Sequence, residues 1–319
     1  MAFSIRKNLP LFLILLTGNL HGQEAAPGSP DTLFQSAMSQ LQQGKYQDAE
    51  VSFRKLSEME PGSSRGILGV AEVWGAQKKI DDAIGLVQAE SAKYPARLEL
   101  HYAIGNLALV AAKYDLAISE FQLVLERVDR NAKEASEVYL RMGEAYRLKG
   151  DVEFAINVFQ KAQALQPSNL VIVNALAATL EMSGQRKSAA EQYRKMLELD
   201  PKNGVALNNL AFMLADTDGA LALAYALRAR QLFPNEPTVI DTLGWVYLKS
   251  NRIDDALPLF RDALKKNPGN AAYRYHLAAA LEQKGAHAEA RQEAETALKS
   301  NPSKDDAQKI TELLRTLHQ

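Results

Sequence analysis

Apolar residues fall on one face of a short helix, a turn follows, and a second one-faced helix comes after it. Then the pattern starts again. Around Ile240 the first stripe is Ile240, Leu243, Gly244 and Tyr247, at offsets 0, 3, 4 and 7. Around Tyr139 it is Tyr139, Met142, Gly143 and Tyr146. Those offsets share one helix face. The second stripe is Ala256, Phe260 and Ala263, or Ala155, Phe159 and Ala162, at offsets 0, 4 and 7. Between the stripes stand Gly44, Gly150, Gly184, Asn251 and Gly285. Glycine and asparagine tolerate the left-handed conformation that ends a helix. The pattern predicts a series of helix–turn–helix units.

The second stripe opens on a small residue at a fixed interval: Ala49, Ala83, Ala117, Ala155, Ala189, Ala222, Ala256 and Ala290. The gaps are 34, 34, 38, 34, 33, 34 and 34 residues. Twelve residues later comes a proline, at Pro61, Pro95, Pro167, Pro201, Pro234, Pro268 and Pro302, with Asp129 in the third unit. Proline lacks an N–H and disfavours helix at the residue before it, so each second helix stops there. With the recurring alanine as repeat position 20, positions 8 and 20 are small enough for two backbones to approach, and positions 11 and 24 carry larger side chains. A fixed period of this size is the mark of a repeat array. The third junction carries four extra residues near 127–135, read as a lengthened second helix or a longer loop between repeats. The sixth repeat is one residue short and has Asp216-Thr-Asp-Gly219 at its turn.

The signature Ile240-x2-Leu243-Gly244-x2-Tyr247…Ala256-x3-Phe260…Pro268 resembles the tetratricopeptide repeat family, whose tryptophan is replaced here by another apolar residue. The resemblance runs over residues 30–302 in eight repeats. It implies an all-α fold, a right-handed α-α superhelical solenoid of about eight helix hairpins over 31–302, closed by a capping helix at 303–319. Ser303 is the candidate N-cap of that helix, and Asp305 and Asp306 fall in its first turn, where they complement the helix dipole.

The ends read differently. Arg6 and Lys7 precede the apolar run Leu9 to Leu16, and small residues follow, which is the order of a secretory signal over residues 1–22. The run is about half of the ~20 residues that span a bilayer, so no stable transmembrane anchor is expected. Residues 23–30 are rich in Pro, Gly and Ser and read as a flexible linker. Together these place the protein in the periplasm or outside the cell. The chain has 37 Lys+Arg against 38 Asp+Glu among 319 residues, a net charge of −1. That balance gives no broad electrostatic footprint for nucleic acid. There is no cysteine, which removes disulfides, thiolate nucleophiles, cysteine zinc sites and the acylated cysteine of a lipoprotein.

Catalytic patterns are missing. The five histidines, His21, His101, His276, His287 and His318, form no H-E-x-x-H or H-x3-H pair, so no metal site is expected and they read as solvated or packed. No phosphate-cradling glycine loop and no G-x-S-x-G elbow occurs. The Asp216–Gly219 turn runs into Leu221-Ala-Leu-Ala, which supplies no calcium ligands. The reading is a non-enzyme that uses no cofactor.

The tetratricopeptide resemblance implies that the first helix of each repeat lines a concave groove through positions 2, 5, 9, 12 and 13. The candidate partner-binding residues there are Tyr102, Asn106, Glu144, Arg147, Asn174, Asn208, Phe212, Asp241, Trp245 and Tyr275, with Lys249, Glu181 and Glu282 in the same rows. Asn and Asp at position 5 suit the backbone of an extended peptide, and Phe212, Trp245 and Tyr275 suit an aromatic platform. Packing against the neighbouring helix is the competing reading for Phe212 and Trp245. The Lys/Asn clamp with which some family members hold a terminal carboxylate is replaced by Phe34 and Met38, Leu68 and Glu72, and Tyr102 and Asn106. The last hundred residues resemble exported bacterial tetratricopeptide proteins of exopolysaccharide and exosortase (PEP-CTERM) systems. The function this implies is a protein–protein interaction scaffold or adaptor of the cell envelope. The alternative is a polysaccharide-binding or export factor that uses the groove aromatics.

Overall fold

Every one of the eight recurring alanines is fully buried. All but Ala189 sit where two helices of a hairpin cross within one unit, and a larger side chain there would hold the backbones apart. In the computed structural model, which describes residues 28–317, the chain forms helices and no strand among those residues. The segment read as a signal, 1–22, and residues 23–27 of the stretch read as a linker lie outside the described residues. The structure divides into two compact units, one ending at Ser183 and the other starting at Gly184.

The N-terminal unit holds α1 (Pro30–Gln42), α2 (Tyr46–Met59), α3 (Arg65–Ala76), α4 (Ile80–Lys93), α5 (Leu98–Val110), α6 (Tyr114–Arg127), α7 (Ala135–Lys149), α8 (Val152–Leu165) and α9 (Leu170–Met182). The C-terminal unit holds α10 (Arg186–Leu199), α11 (Gly204–Leu214), α12 (Gly219–Leu232), α13 (Pro237–Lys249), α14 (Ile253–Lys266), α15 (Ala271–Gln283), α16 (His287–Lys299) and α17 (Lys304–Thr316). The odd-numbered helices α1 to α15 are the first helices of the repeats, and α17 follows the last of them. Inside each unit, first helices of adjacent repeats also touch each other directly. The four extra residues of the third junction lengthen the loop 128–134 and leave α6 the same length as the other second helices.

Turn chemistry follows the repeat. At position 15 the backbone is left-handed in Gly44, Gly150, Gly184, Gly285 and Asn251, and also in Lys78 and Ala112. A side chain in that conformation costs about 1–2 kcal/mol, so in Lys78 and Ala112 the hairpin geometry has overridden local preference. The shortened sixth repeat has no such residue. There the Asp218 side chain caps α12 by accepting from the Leu221 N–H at 3.1 Å. Ser303 caps α17 by accepting from the Asp306 N–H at 3.1 Å.

Large position-24 side chains fill the hairpins. Phe53, Phe121, Phe159 and Phe260 are fully buried. A Cβ placed on Gly143 would lie 2.5 Å from the Phe159 ring, and one on Gly244 would lie 2.8 Å from Phe260. Only glycine leaves room for the ring at these two crossings. Within each unit the core is therefore a set of small clusters, each made by one hairpin and its neighbour. In the C-terminal unit, Ile310 of α17 covers Ala278, Ala294 and Ala297 at its end. The carbonyls of the closing prolines are taken up by guanidinium groups: Arg97 donates to Pro61 O at 3.2 Å and Arg228 to Pro201 O at 2.7 Å. Those contacts tie successive repeats along the solvent side.

Candidate functional site

Residues four apart on a helix share a face, and direct contact between first helices sets those faces side by side. In the C-terminal unit this brings Asn208 and Phe212 of α11 next to Asp241, Trp245 and Lys249 of α13, and these next to Tyr275 and His276 of α15. The Phe212 and Trp245 rings stack at 5.7 Å with 26° between planes. Tyr275 lies 6.5 Å from Trp245. All three rings are half-buried. The packing and platform readings therefore both apply: the rings stack on one another and still reach solvent.

One turn back along each helix the character changes. Asn208 and Asp241 are 4% and 1% exposed, so they stand beneath the row of rings. Asp241 Oδ2 lies 2.8 Å from His276 Nδ1. The His276 ring in turn lies 4.4 Å from Trp245 and 5.9 Å from Phe260. Asp241 Oδ1 and Asn208 Oδ1 are buried and accept no hydrogen bond. A buried acceptor without a donor costs about 1–3 kcal/mol. Above them Lys249 Nζ sits 4.6 Å from the Trp245 ring centre and 2.8 Å from Asp216 Oδ1. Burial holds the Tyr275 hydroxyl above its ordinary pKa, and Asp306 of α17 adds to the effect.

The N-terminal unit builds a second polar cluster. Tyr102 and Asn106 of α5 are buried, and the Tyr102 ring lies 5.7 Å from Phe121. The Tyr102 hydroxyl hydrogen-bonds with Arg141 of α7 and with Asn106. Arg141 Nε lies 3.0 Å from Glu137 Oε1, and its Nη1 lies 3.2 Å from Glu144 Oε2. Burial opposes the Arg141 charge, but Glu144 and Glu137 outweigh it and raise its pKa. Burial, with Glu137 behind it, raises that of Tyr102. Arg147 of α7 and Asn174 of α9 are half-buried and join neither cluster. Here both acids share Arg141, so the cluster is satisfied within the chain.

Two residues that hold these clusters together, His276 and Arg141, stand at repeat position 6, outside the rows read as groove-facing. Their partners, Asp241 and Tyr102, stand at position 5 of the preceding repeat. The signal is an offset of one period plus one. His276 and Asp241 are 35 residues apart, as are Thr238 and Tyr273, bonded at 2.9 Å, and Ser64 and Glu99, bonded at 2.9 Å. Tyr102 and Arg141 keep this register, widened by the four inserted residues. Among the described residues no group of three His, Cys, Asp or Glu side chains is placed to hold a metal ion.

Tetratricopeptide repeat models match residues 102–169 and 242–305, and another matches 31–63. Together they account for just over half of the chain. It is a tetratricopeptide repeat protein. Its relatives include the type IV pilus assembly protein PilF of Pseudomonas aeruginosa, 29% identical over 169 residues, a match covering 52% of this chain and 67% of PilF. Cellulose synthase operon protein C of Pseudomonas fluorescens is 29% identical over 126 residues, covering 39% of this chain. That match spans a tenth of the relative's own length. Among solved structures, the APC/C hetero-tetramer Cut9–Hcn1 has a TM-score of 0.58 at 17% identity, covering 92% of this chain and 57% of that one. At that identity the likeness is one of fold. Tetratricopeptide proteins as a class mediate protein–protein interaction and assembly. Among the described residues no helix is long and apolar enough to cross a membrane.

Proposed function

We propose that this tetratricopeptide protein is a non-catalytic scaffold of the bacterial cell envelope that holds an extended segment of a partner protein on the first-helix face of its C-terminal unit. One observation carries the reading: two buried acceptors, Asn208 Oδ1 and Asp241 Oδ1, have no donor, directly beneath a half-exposed row of rings. A partner that brings N–H groups to this face satisfies them, and Phe212, Trp245 and Tyr275 supply the aromatic contact area that dominates binding energy at hot spots. Supporting the envelope location are the order of residues 1–22 and the likeness to proteins of pilus assembly and of a cellulose synthase operon. A periplasmic or secreted protein without an acylated cysteine fits this reading.

The same aromatic row favours a second reading, a platform for an envelope polysaccharide of the exopolysaccharide type. One experiment separates them. Wild type and Trp245→Ala are used to capture partners from a crosslinked envelope fraction and are applied in parallel to a glycan array. The scaffold reading predicts protein partners that the variant loses and no glycan signal. The polysaccharide reading predicts a glycan signal that the variant loses. Identical partner sets for both proteins, with silence on every glycan, rule against this face.

A further inference from the structure

We infer that the segment bound on this face presents a lysine or arginine whose cationic head is taken by Asp241 and Asn208 against the Trp245 ring. The inference rests on the reading of this face as the partner-binding surface and adds the chemistry of the occupant. Three observations point to a cation. The first is the pair of vacant acceptors. Asp241 spends one carboxylate oxygen on His276 and keeps the other free, and Asn208 Oδ1 is free at the same helical level. Phe212 and Trp245, each one turn further along, stack on each other, so the two acceptors stand on adjacent first helices at the same repeat position. Two neighbouring acceptors, one of them a carboxylate, match the several N–H donors of an ammonium or guanidinium group better than the single N–H of a peptide bond.

The second observation is that the chain already places a cation here. Lys249 Nζ lies 4.6 Å from the centre of the Trp245 ring. The electron-rich face of an indole attracts such a charge. Lys249 is held by Asp216 at 2.8 Å. The third observation is the balance of charge around the rings. Asp216 and Asp241 are on this face, Asp306 of α17 is near enough to Tyr275 to act on its hydroxyl, and Lys249 is paired with Asp216. Arg274 is engaged by Glu293 at 2.7 Å, and Lys284 by Asp254 at 2.8 Å. A partner ending in a carboxylate would meet the carboxylate of Asp241, with Lys249, Arg274 and Lys284 already paired. A basic segment is complementary. Both acceptors are sealed from solvent, so entry of the cation requires the half-buried rings of Phe212 and Trp245 to move, and the indole then reports it.

The test uses the full chain in a Trp74→Phe background, which leaves Trp245 as the lone tryptophan. The probes are two extended hexapeptides that differ only in a central lysine, free in one and Nε-acetylated in the other. The free-lysine peptide is expected to change Trp245 fluorescence and to bind about 10-fold or more tightly than the acetylated one, the ratio that a charge-assisted hydrogen bond carries. Asp241→Asn is expected to erase that preference. Lys249→Met, at an exposed position, removes the competing internal cation and is expected to tighten binding of the free-lysine peptide several-fold. Equal binding of the two peptides overturns the cation while leaving the face as a binding surface. Binding of neither peptide also overturns it, and the fate of the face then rests on the partner capture described above. Weaker binding by Lys249→Met overturns it as well, because Lys249 would then be assisting the ligand rather than standing in for it.

Discussion

Replacing His276 with leucine lowers the stability of the C-terminal unit by about 3–5 kcal/mol, the cost of leaving one member of a buried pair alone. Asp241 is 1% exposed, its Oδ1 has no donor, and His276 supplies the contact to its Oδ2. Without the imidazole, which itself lies against Trp245, Phe212 and Phe260, the carboxylate stays buried with nothing to compensate it. The double substitution His276→Leu with Asp241→Leu removes both polar groups and regains most of the loss, since apolar replacement of a whole buried pair is often neutral or stabilising. Urea unfolding followed by Trp245 fluorescence in the Trp74→Phe background reads both variants. A single variant within about 1 kcal/mol of wild type, on the same scale, contradicts the burial of an uncompensated carboxylate.

The second large effect lies in the other unit and concerns packing alone. Phe159→Ala is expected to cost about 3–5 kcal/mol, the range for removing a fully buried aromatic ring. Phe159 is 0% exposed and fills the space that Gly143 leaves open. Phe154, five residues earlier on the same helix, is 64% exposed and stacks only on Tyr146, at 5.4 Å. Phe154→Ala is expected to cost under about 1 kcal/mol, the worth of one exposed aromatic pair. Hydrogen exchange locates the damage: in a repeat array stability comes from each repeat and its neighbours, so the Phe159 variant loses protection first in α7 and α8. Equal losses for the two substitutions would mean that position 24 does not seal the hairpin.

Much of this was legible in the chain. The recurring alanines could be expected at helix crossings because an interval of about 34 residues brings them back eight times, seven of them with a companion proline, and a small residue has one physical use there. Phe159 and Phe260 followed from the same register. What the sequence could not show is where pattern and packing part company. Lys78 and Ala112 adopt the left-handed turn with no local preference for it, because the hairpin around them sets the backbone. Asn208, Asp241, Tyr102 and Asn106 occupy positions that face away from their own hairpin, yet they are buried, because the first helix of the next repeat lies across them. A one-helix reading does not include that neighbour. For the same reason His276 read as an isolated histidine, although its partner stands one period and one residue earlier. At position 13, Val110, Leu148 and Met182 are 55%, 47% and 58% exposed where the seventh repeat has Lys249, an apolar edge in the N-terminal unit that polar–apolar periodicity alone does not single out.

The claim that the first-helix face of the C-terminal unit is the working surface is tested most directly by site-specific photo-crosslinking in the native host. A photoreactive phenylalanine analogue is placed at Tyr275 in one protein and at Leu227 of α12, which is 47% exposed on a second helix, in the other. The account predicts discrete adducts with a partner protein from position 275 and none from position 227. Adducts from position 227 with none from position 275 would contradict it.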